Sequence, residues 1–449
     1  MKILVLNGSP KGDYSITLQT SIYLSKLHPE HKFQYLNVGQ RIKAIERDFS
    51  EAERMINEAD LLIFSYPVYT FLAPYQLHKF IALLKESGIN LKGKFATQIS
   101  TSKHFYDVTA HKYIQDNCQE MGLKFIKGLS ADMEDLPLEK GQKEAKSFFD
   151  FLMWSVENDI VEPDLNSFTT PKNIKIDIFQ ETEENKSGDV VIIADFDEKD
   201  VQLQKMISRF QNVFNRKTRV VNIRDYQFKG GCLGCLNCAT SGECVYKDGF
   251  AEYLRKELNS AEARVFAFTI KDHSMGTQFK LYDDRSFCNG HRSVTMGMPV
   301  GYLVSGNYSE EKNLQTVLEA RASVGENFLC GVATDEFNPN EEIDKLAKTM
   351  EYALQNKHTQ PQNFYGIGGM KIFRDLIWIM QGFMKEDHKF YKAHNQYDFP
   401  QKKRGMMLLM YLLGGALSSP KIKAKMGNKM NEGMLMPYKK VIEDLEKNK

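Results

Sequence analysis

The sequence predicts an α/β protein built from two doubly wound parallel sheets, followed by a helical C-terminal extension. Short apolar, β-branched runs alternate with helix-length segments, which is the order expected of a parallel sheet covered by helices. The same order occurs twice, about 190 residues apart, which indicates duplication of a whole domain. A length of 449 residues agrees with two or three domains.

The first domain is expected to span residues 1–155. Its predicted strands are 2–8, 33–38, 60–69, 94–101 and 123–131, and its predicted helices are 15–27, 49–59, 74–87 and 111–121. Residues 156–188 are polar and rich in turn formers, and we interpret them as a connector that carries one strand at 174–179.

The second domain is expected to span residues 189–360. Its predicted strands are 189–196, 219–226, 263–270, 299–306 and 328–336, and its predicted helices are 198–214, 250–259 and 311–324. Residues 361–449 form a basic extension with 16 Lys and Arg against 8 Asp and Glu, and with Met-rich apolar segments at 371–384 and 406–417. These segments are interpreted either as helices packed over the domains or as a surface for a partner or a membrane.

Composition narrows the class of protein. Apolar residues make up 42% and charged residues 26%, as in a well-packed globular chain, and the net charge of +1 argues against a nucleic-acid partner. The N-terminal apolar run is too short for a signal peptide, and no segment reaches the roughly 20 apolar residues of a membrane span. A cytoplasmic location is therefore expected.

The first strand runs into a polar turn directly before a helix. A helix N-terminus offers unpaired N–H groups and a positive dipole end, so this position favours a phosphate. Ser9, Ser15 and Thr17 add hydroxyl donors, while Gly8 and Gly12 let the backbone approach closely. The alternative is a capped helix after an ordinary turn.

Two further loops follow neighbouring strands. Residues 67–74 contain prolines together with Tyr69 and Phe71, and the fourth strand ends in Thr101 and Ser102. Ligands of open α/β sheets lie beyond the carboxyl ends of the strands, so all three loops are expected at one edge. The aromatic loop can present its amides and rings to a flat ligand.

Four of the seven cysteines, Cys232, Cys235, Cys238 and Cys244, form a CX2CX2CX5C array. An odd cysteine count in a chain without a signal peptide argues against a disulfide framework. Four soft sulfurs suit a [4Fe–4S] cluster or zinc, and three evenly spaced cysteines plus a fourth are more usual for the cluster. Zinc and free structural or redox thiols stay open as alternatives.

These motifs resemble a known superfamily. GSPKGDYSIT (8–17) resembles the FMN-phosphate loop of NAD(P)H-dependent FMN reductases, and SYPVYTFLAPYQLHKFI (65–81) resembles their flavin loop. The cysteine array and its setting resemble those of iron–sulfur flavoproteins from the same flavodoxin-like superfamily. The resemblance implies two flavodoxin-like domains, FMN as cofactor and NAD(P)H as reductant.

The resemblance also implies which residues hold FMN. They are Ser9, Lys11, Ser15, Ile16, Thr17, Pro67, Val68, Tyr69, Thr70, Phe71, Thr101 and Ser102. The chain departs from the family pattern at Lys11, where arginine is usual, at Ile16, where asparagine is usual, and at His78, where lysine or arginine is usual. Ile16 keeps only its backbone N–H as a donor.

The two halves differ in what they keep. Residues 278–285 (QFKLYDDR) resemble the end of the flavin loop, but the first strand of the second domain ends in ADFDE (194–198). Those carboxylates would repel a phosphate dianion, so the second half is expected to have lost FMN. The first half has no cysteine array, and each half therefore carries the site that the other lacks.

The resulting hypothesis is an FMN-dependent oxidoreductase, linked to NAD(P)H or ferredoxin. It passes electrons between FMN and a [4Fe–4S] cluster to a small-molecule or redox-protein acceptor, with the chemistry on the flavin and no catalytic side chain. The chain would form a pseudo-dimer with itself, and a homo-oligomer stays open. The alternatives are a non-catalytic electron carrier that docks through 361–449 and an FMN reductase with a structural zinc site.

Overall fold

The computed structural model describes residues 1–133, 135–157, 159, 161–162, 175–178, 186–358, 364–399, 401 and 403–421. Residues 1–390 form one compact unit that holds two parallel sheets, and residues 391–449 form a second unit. The boundaries expected for the domains within these units stay predictions.

The first sheet is built from the apolar runs of the first half. Its strands are β1 (Lys2–Asn7), β2 (Lys32–Leu36), β3 (Leu61–Pro67), β4 (Phe95–Ser102), β5 (Lys124–Phe125) and β6 (Leu129–Asp132). They are parallel in the order β2-β1-β3-β4-β5, with β6 also on β4. The strand predicted at 123–131 is therefore two short strands along the same edge of β4.

The second sheet repeats the first. Its strands are β7 (Val190–Asp195), β8 (Thr218–Asn222), β9 (Ala263–Thr269), β10 (Pro299–Ser305) and β11 (Phe328–Thr334). They are parallel in the order β11-β10-β9-β7-β8, which is the 2-1-3-4-5 order of flavodoxin-like sheets read from the other end. The predicted fold class of two flavodoxin-like sheets with a helical C-terminal region is confirmed.

Helices cover the sheets of the first unit and continue into the C-terminal region. Those of the first half are α1 (Ile16–Leu27), α2 (Val38–Arg47), α3 (Ser50–Glu58), α4 (Tyr75–Glu86), α5 (Asp107–Glu120) and α6 (Glu139–Glu157). Those that follow are α7 (Val201–Val213), α8 (Asn237–Ser241), α9 (Phe250–Tyr253), α10 (Thr277–Ser286), α11 (Lys312–Val324), α12 (Pro339–Asn356), α13 (Phe364–Ile379), α14 (Lys385–Ala393) and α15 (Arg404–Leu417). No helix in the described ranges is both long and apolar enough to cross a membrane.

Several elements differ from the sequence-based expectation. Helices α2, α6, α10 and α12 were not predicted. In α2 the signal was present, because Val38, Ile42 and Ile45 follow helical spacing and are buried. The strand predicted at 174–179 is wrong for its described residues 175–178, which are irregular and anchor Ile176 in the second core; its two end residues lie outside the described ranges.

The two halves share a core. Helix α4 of the first half packs against α10, its counterpart in the second half. One cluster of buried apolar side chains includes Leu77 and Phe80 from α4 together with Phe279 and Tyr282 from α10. The expected pseudo-dimer within one chain is thus held by a continuous apolar interface.

His273 adds an ionic contact between the halves. Its Nδ1 lies 2.8 Å from Glu311 Oε1, and its Nε2 lies 3.2 Å from Glu120 Oε2 on α5. Burial alone would lower the pKa of His273, but the two carboxylates outweigh it and raise the pKa to about 9. The contact with His273, aided by Lys85, lowers the pKa of Glu120 to about 2.

We expect stability to fall as pH rises from near neutral to alkaline values. The raised pKa of His273 means that its stabilisation is complete below the unfolded value of about 6.5 and is lost as pH passes about 9. The free energy of unfolding, measured with urea, should drop by roughly 2–3 kcal/mol across this window. His273→Gln should remove most of that slope, and His104→Gln should retain it. Parallel slopes for the wild type and His273→Gln would contradict the assignment.

Candidate functional site

The turn after β1 has the geometry of an anion site. Ser9, Ser15 and Thr17 are 1%, 2% and 1% exposed, and Ser15 caps α1 by accepting from the Leu18 N–H at 3.4 Å. Because Ile16 and Thr17 begin α1, their N–H groups have no acceptor within the helix. The turn therefore combines buried hydroxyls with free backbone donors.

Asn7, which the sequence analysis missed, organises this turn. Its Nδ2 donates to the Gly12 carbonyl at 2.9 Å and to Asn37 Oδ1 at 2.8 Å, while its Oδ1 accepts from the Ser9 N–H at 3.2 Å. A lone amide that ends an otherwise apolar strand was the available signal. With Asn7 holding both sides of the turn, Lys11 is left exposed beside it.

Three strand ends meet beside the turn. Thr101 Oγ1 lies 2.5 Å from Thr17 Oγ1, and the Thr101 carbonyl accepts from the Val68 N–H at 3.2 Å. Ser102 Oγ accepts from the His104 N–H at 2.9 Å. The phosphate-type turn, the aromatic loop after β3 and the end of β4 are therefore brought together, as the sequence predicts.

The aromatic loop is held in a strained conformation. Tyr69 and Leu72 pair across a tight turn, which we call the flavin turn (residues 69–72) after the family loop that it resembles. Thr70 and Phe71 have φ values of 46° and 70°, a left-handed region that is costly for residues other than glycine. Such a turn persists only when its surroundings fix it.

A buried ion pair from the second half fixes the flavin turn. Lys280 and Asp284 of α10 are bonded to each other, and both side chains are fully buried. Lys280 Nζ donates to the Tyr69 carbonyl at 3.0 Å, and Asp284 accepts from Thr70 Oγ1 at 3.1 Å and from the Tyr75 N–H at 2.8 Å. From the sequence, residues 278–285 were noted only because they resemble the end of the flavin loop. The i, i+4 spacing of Lys280 and Asp284 was the signal for an ion pair on one face of a helix.

The cysteine segment (residues 230–248) packs directly on the flavin turn. A Cβ on Gly234 would lie 2.0 Å from Tyr69 Oη, so the Gly234 backbone meets the Tyr69 side chain with no room for a side chain of its own. Gln76 Nε2, at the start of α4, donates to the Cys232 carbonyl at 3.3 Å. The motifs of the two halves therefore touch.

The four cysteines of the array differ in environment. Cys235 is exposed, and the other three are partly buried. Cys232 Sγ accepts from the Gly234 N–H at 3.5 Å. Burial raises the pKa of Cys232 to about 12 and that of Cys238 to about 11, so their thiolates need a compensating cation.

Cys288 is a fifth thiol at the cysteine segment. It is 4% exposed, in a turn that packs on α8, the short helix that carries Cys238. Arg255 donates to the carbonyls of Cys288, at 3.1 Å, and of Gly242. The sequence pattern alone does not place Cys288 with the array, because it lies 44 residues beyond Cys244, a separation that only the fold closes.

Arg285 ties the two ends of the cysteine segment together. Its guanidinium donates to both oxygens of Asp248 at 2.8 Å and to the Gly230 carbonyl at 2.9 Å. It also lies 4.3 Å from the centre of the Tyr246 ring. A bidentate pair with a 2% exposed arginine is a strong anchor.

The corresponding strand end of the second sheet is lined by carboxylates. Asp195 is buried and accepts from Arg224 Nε at 2.6 Å, and Arg224 also lies 3.3 Å from Asp197. Burial raises the pKa of Asp195. The acidic character expected there is present, and the loss of FMN from this half stays a prediction.

Helix α13 covers the loop after β4. Phe373 stacks on Phe105 with ring centres 4.3 Å apart, and Phe105 in turn lies 5.0 Å from Phe71 of the flavin turn. Tyr106 Oη donates to the Tyr365 carbonyl at 2.7 Å. The first Met-rich segment, predicted at 371–384, is thus largely a packing helix.

Comparisons with known proteins agree with this description. Residues 1–118 match the family model of the flavodoxin-like fold. An iron–sulfur flavoprotein of Clostridioides difficile (strain 630) is 22% identical over 139 residues, covering 29% of this chain and 61% of that protein. The chain thus spans about three fifths of the length of this relative.

Two solved structures are similar to about one third of the chain. An apo NADH:FMN oxidoreductase is 20% identical, with a TM-score of 0.31 over 36% of this chain and 91% of the other. An FMN-dependent NADH-azoreductase from Bacillus anthracis in complex with FMN is 16% identical, with a TM-score of 0.27 over 34% of this chain and 98% of the other.

The contact between Gly234 and Tyr69 predicts an asymmetric response to two glycine substitutions. Gly234 and Gly242 both have positive φ, at 61° and 79°, but the nearest atom to a Cβ on Gly242 is 3.6 Å away. Gly234→Ala should therefore cost about 1–3 kcal/mol more than Gly242→Ala in urea unfolding. Adding Tyr69→Phe should recover part of the difference. Equal losses for the two alanine variants would show that the halves do not meet here.

Proposed function

We propose that the chain is an FMN-dependent oxidoreductase in which the first half holds FMN, the second half holds a [4Fe–4S] cluster, and the two exchange electrons. The observation that carries this proposal is the direct contact between the flavin turn and the cysteine segment, at Tyr69 with Gly234 and at Gln76 with Cys232. The two candidate sites are neighbours within one chain.

The residues of the first half fit FMN. Ser9, Ser15 and Thr17 place buried hydroxyls around the N-terminus of α1, where the backbone amides of Ile16 and Thr17 can meet a phosphate and Lys11 can add charge. The flavin ring would lie against Pro67, Val68, Tyr69, Thr70 and Phe71, with Thr101 and Ser102 at the adjoining strand end. Bound FMN supplies hydride acceptance and single-electron release.

The residues of the second half fit an iron–sulfur cluster. Cys232, Cys235, Cys238 and Cys244 supply four sulfurs, and the N–H to sulfur bond at Cys232 is of the kind that tunes such clusters. Zinc could use the same four sulfurs, but three evenly spaced cysteines plus a fourth are more usual for the cluster.

The protein's own contribution is to hold the two sites in a fixed relation. The Lys280–Asp284 pair orients the flavin turn, and Arg285 fixes the ends of the cysteine segment from the same helix, α10. One helix of the second half therefore positions both sites. No side chain is assigned to acid–base chemistry.

The proposal also names the electron donor and the electron acceptor. NAD(P)H or ferredoxin supplies electrons, and a small molecule or a redox protein receives them in the cytoplasm. The relative named as an iron–sulfur flavoprotein and the flavodoxin-like match of residues 1–118 support a flavoprotein of this general kind.

Anaerobic reconstitution tests the proposed function. Purified protein should contain FMN near one per chain, together with iron and acid-labile sulfide near four each. NADH or NADPH should bleach the flavin band and then reduce the cluster, seen by electron paramagnetic resonance. A holoprotein that neither nucleotide nor reduced ferredoxin reduces would reject the oxidoreductase. Zinc without sulfide would assign the cysteines a structural role.

We expect Thr17→Val to weaken FMN binding. It removes a buried hydroxyl at the phosphate position, where a charge-assisted hydrogen bond is worth about 1.5–3 kcal/mol, or roughly 10- to 100-fold in affinity. Thr20→Val is the matched control, since it removes a buried hydroxyl one turn further along α1. Fluorescence titration of the apoprotein with FMN measures both. Unchanged affinity in Thr17→Val would exclude this hydroxyl from the site.

We expect Cys232→Ser to lose the cluster while FMN is retained. Cys232 is a proposed ligand of the cluster, so a hard oxygen donor there should reduce iron and sulfide content severalfold. Cys330→Ser, on β11 away from the array, should keep both cofactors. Full iron and sulfide in Cys232→Ser would show that this cysteine is not a ligand.

A further inference from the structure

Helix α15 exposes a continuous apolar surface. Each of residues 406–413 is a large apolar side chain, and their exposed fractions run from 41% to 78%. Scattered exposed apolar residues are ordinary, but eight in succession around a helix mark an interaction surface. This surface is separate from both candidate cofactor sites in sequence and is not used by the proposed function.

The length of α15 limits how it can meet a bilayer. Its 14 residues extend about 21 Å, which is less than the roughly 30 Å hydrocarbon core. A helix of this length and hydropathy can enter one leaflet or lie at the interface, but it cannot cross.

The charged residues around α15 in the sequence indicate which kind of surface it binds. Residues 399–431 contain seven basic residues and no acidic residue. The basic residues flank the helix on both sides: Lys402, Lys403, Arg404, Lys421, Lys423, Lys425 and Lys429. Pairing with a second copy in either direction would bring these like charges together, whereas anionic headgroups would attract them.

We propose that α15 inserts into the interface of an anionic membrane, with its apolar residues among the acyl chains and the flanking basic residues on the headgroups. The compact unit that carries the flavin turn and the cysteine segment would thereby be tethered to a membrane surface. The tether does not depend on either cofactor.

Vesicle flotation with the full chain tests this proposal. Vesicles of phosphatidylcholine and phosphatidylglycerol in equal amounts should carry the protein upward, and phosphatidylcholine alone should carry at least about tenfold less. Raising the salt concentration should release it.

Two sets of variants distinguish the contribution of the apolar residues of α15 from that of the flanking basic residues. Leu409→Glu with Leu412→Glu puts two charges on one exposed face of α15 and should abolish flotation. Lys402→Gln, Lys403→Gln and Arg404→Gln together should weaken binding roughly 100-fold, because three basic residues no longer meet the anionic headgroups. The control, with Lys199, Lys345 and Lys348 changed to Gln, loses the same charge elsewhere on exposed positions and should float as the wild type does.

Three outcomes would overturn the proposal. They are failure of the wild type to float, equal binding to neutral vesicles, and flotation that survives the two glutamates. Sedimentation of the same proteins distinguishes a second copy: a concentration-dependent dimer that Leu409→Glu with Leu412→Glu abolishes, without vesicle binding, would assign α15 to self-association.

Discussion

The buried ion pair between Lys280 and Asp284 is the interaction that fixes the flavin turn, and the contact between the two candidate sites depends on that turn. It lies on α10 of the second half, yet its hydrogen bonds end on the backbone and Thr70 of the flavin turn in the first half. The turn adopts left-handed φ values that neither Thr70 nor Phe71 would choose alone. Because the pair is shielded from water, its bonds are not weakened by competing solvent.

Duplication of the domain explains why a helix of one half holds the turn of the other half. The turn of the second half, Lys271–Ser274, has the same left-handed residues, Asp272 and His273, and is met from the first half by His78, whose Nδ1 lies 3.4 Å from Asp272 Oδ2. Helix α4 of the first half therefore contacts the turn of the second half, and helix α10 of the second half contacts the flavin turn. The first contact uses His78, whereas the second uses the Lys280–Asp284 ion pair and holds the turn that we assign to the flavin.

The sequence predicted the repeated strand order because strands buried on both faces are near-continuous apolar runs, as in 189–196, that stand out from their polar surroundings. It also located the phosphate-type turn, since glycine and hydroxyl residues before a helix have a local reason to be there. It missed α2 and α12, whose polar faces dilute the pattern. It overlooked Asn7, although a lone amide at the end of an apolar strand was a local signal. It could not identify Cys288 or the Lys280–Asp284 pair as site residues, because the groups that they meet are far away in the chain and are brought near only by tertiary packing.

The central claim is that FMN and an iron–sulfur cluster lie on opposite sides of the Tyr69–Gly234 contact. Anomalous diffraction at the iron edge, from anaerobically grown crystals of the FMN-loaded protein, tests it most directly. The account predicts iron surrounded by the cysteine array, with the flavin ring across Tyr69. Iron absent from the array, or a flavin bound away from residues 67–71, would contradict it.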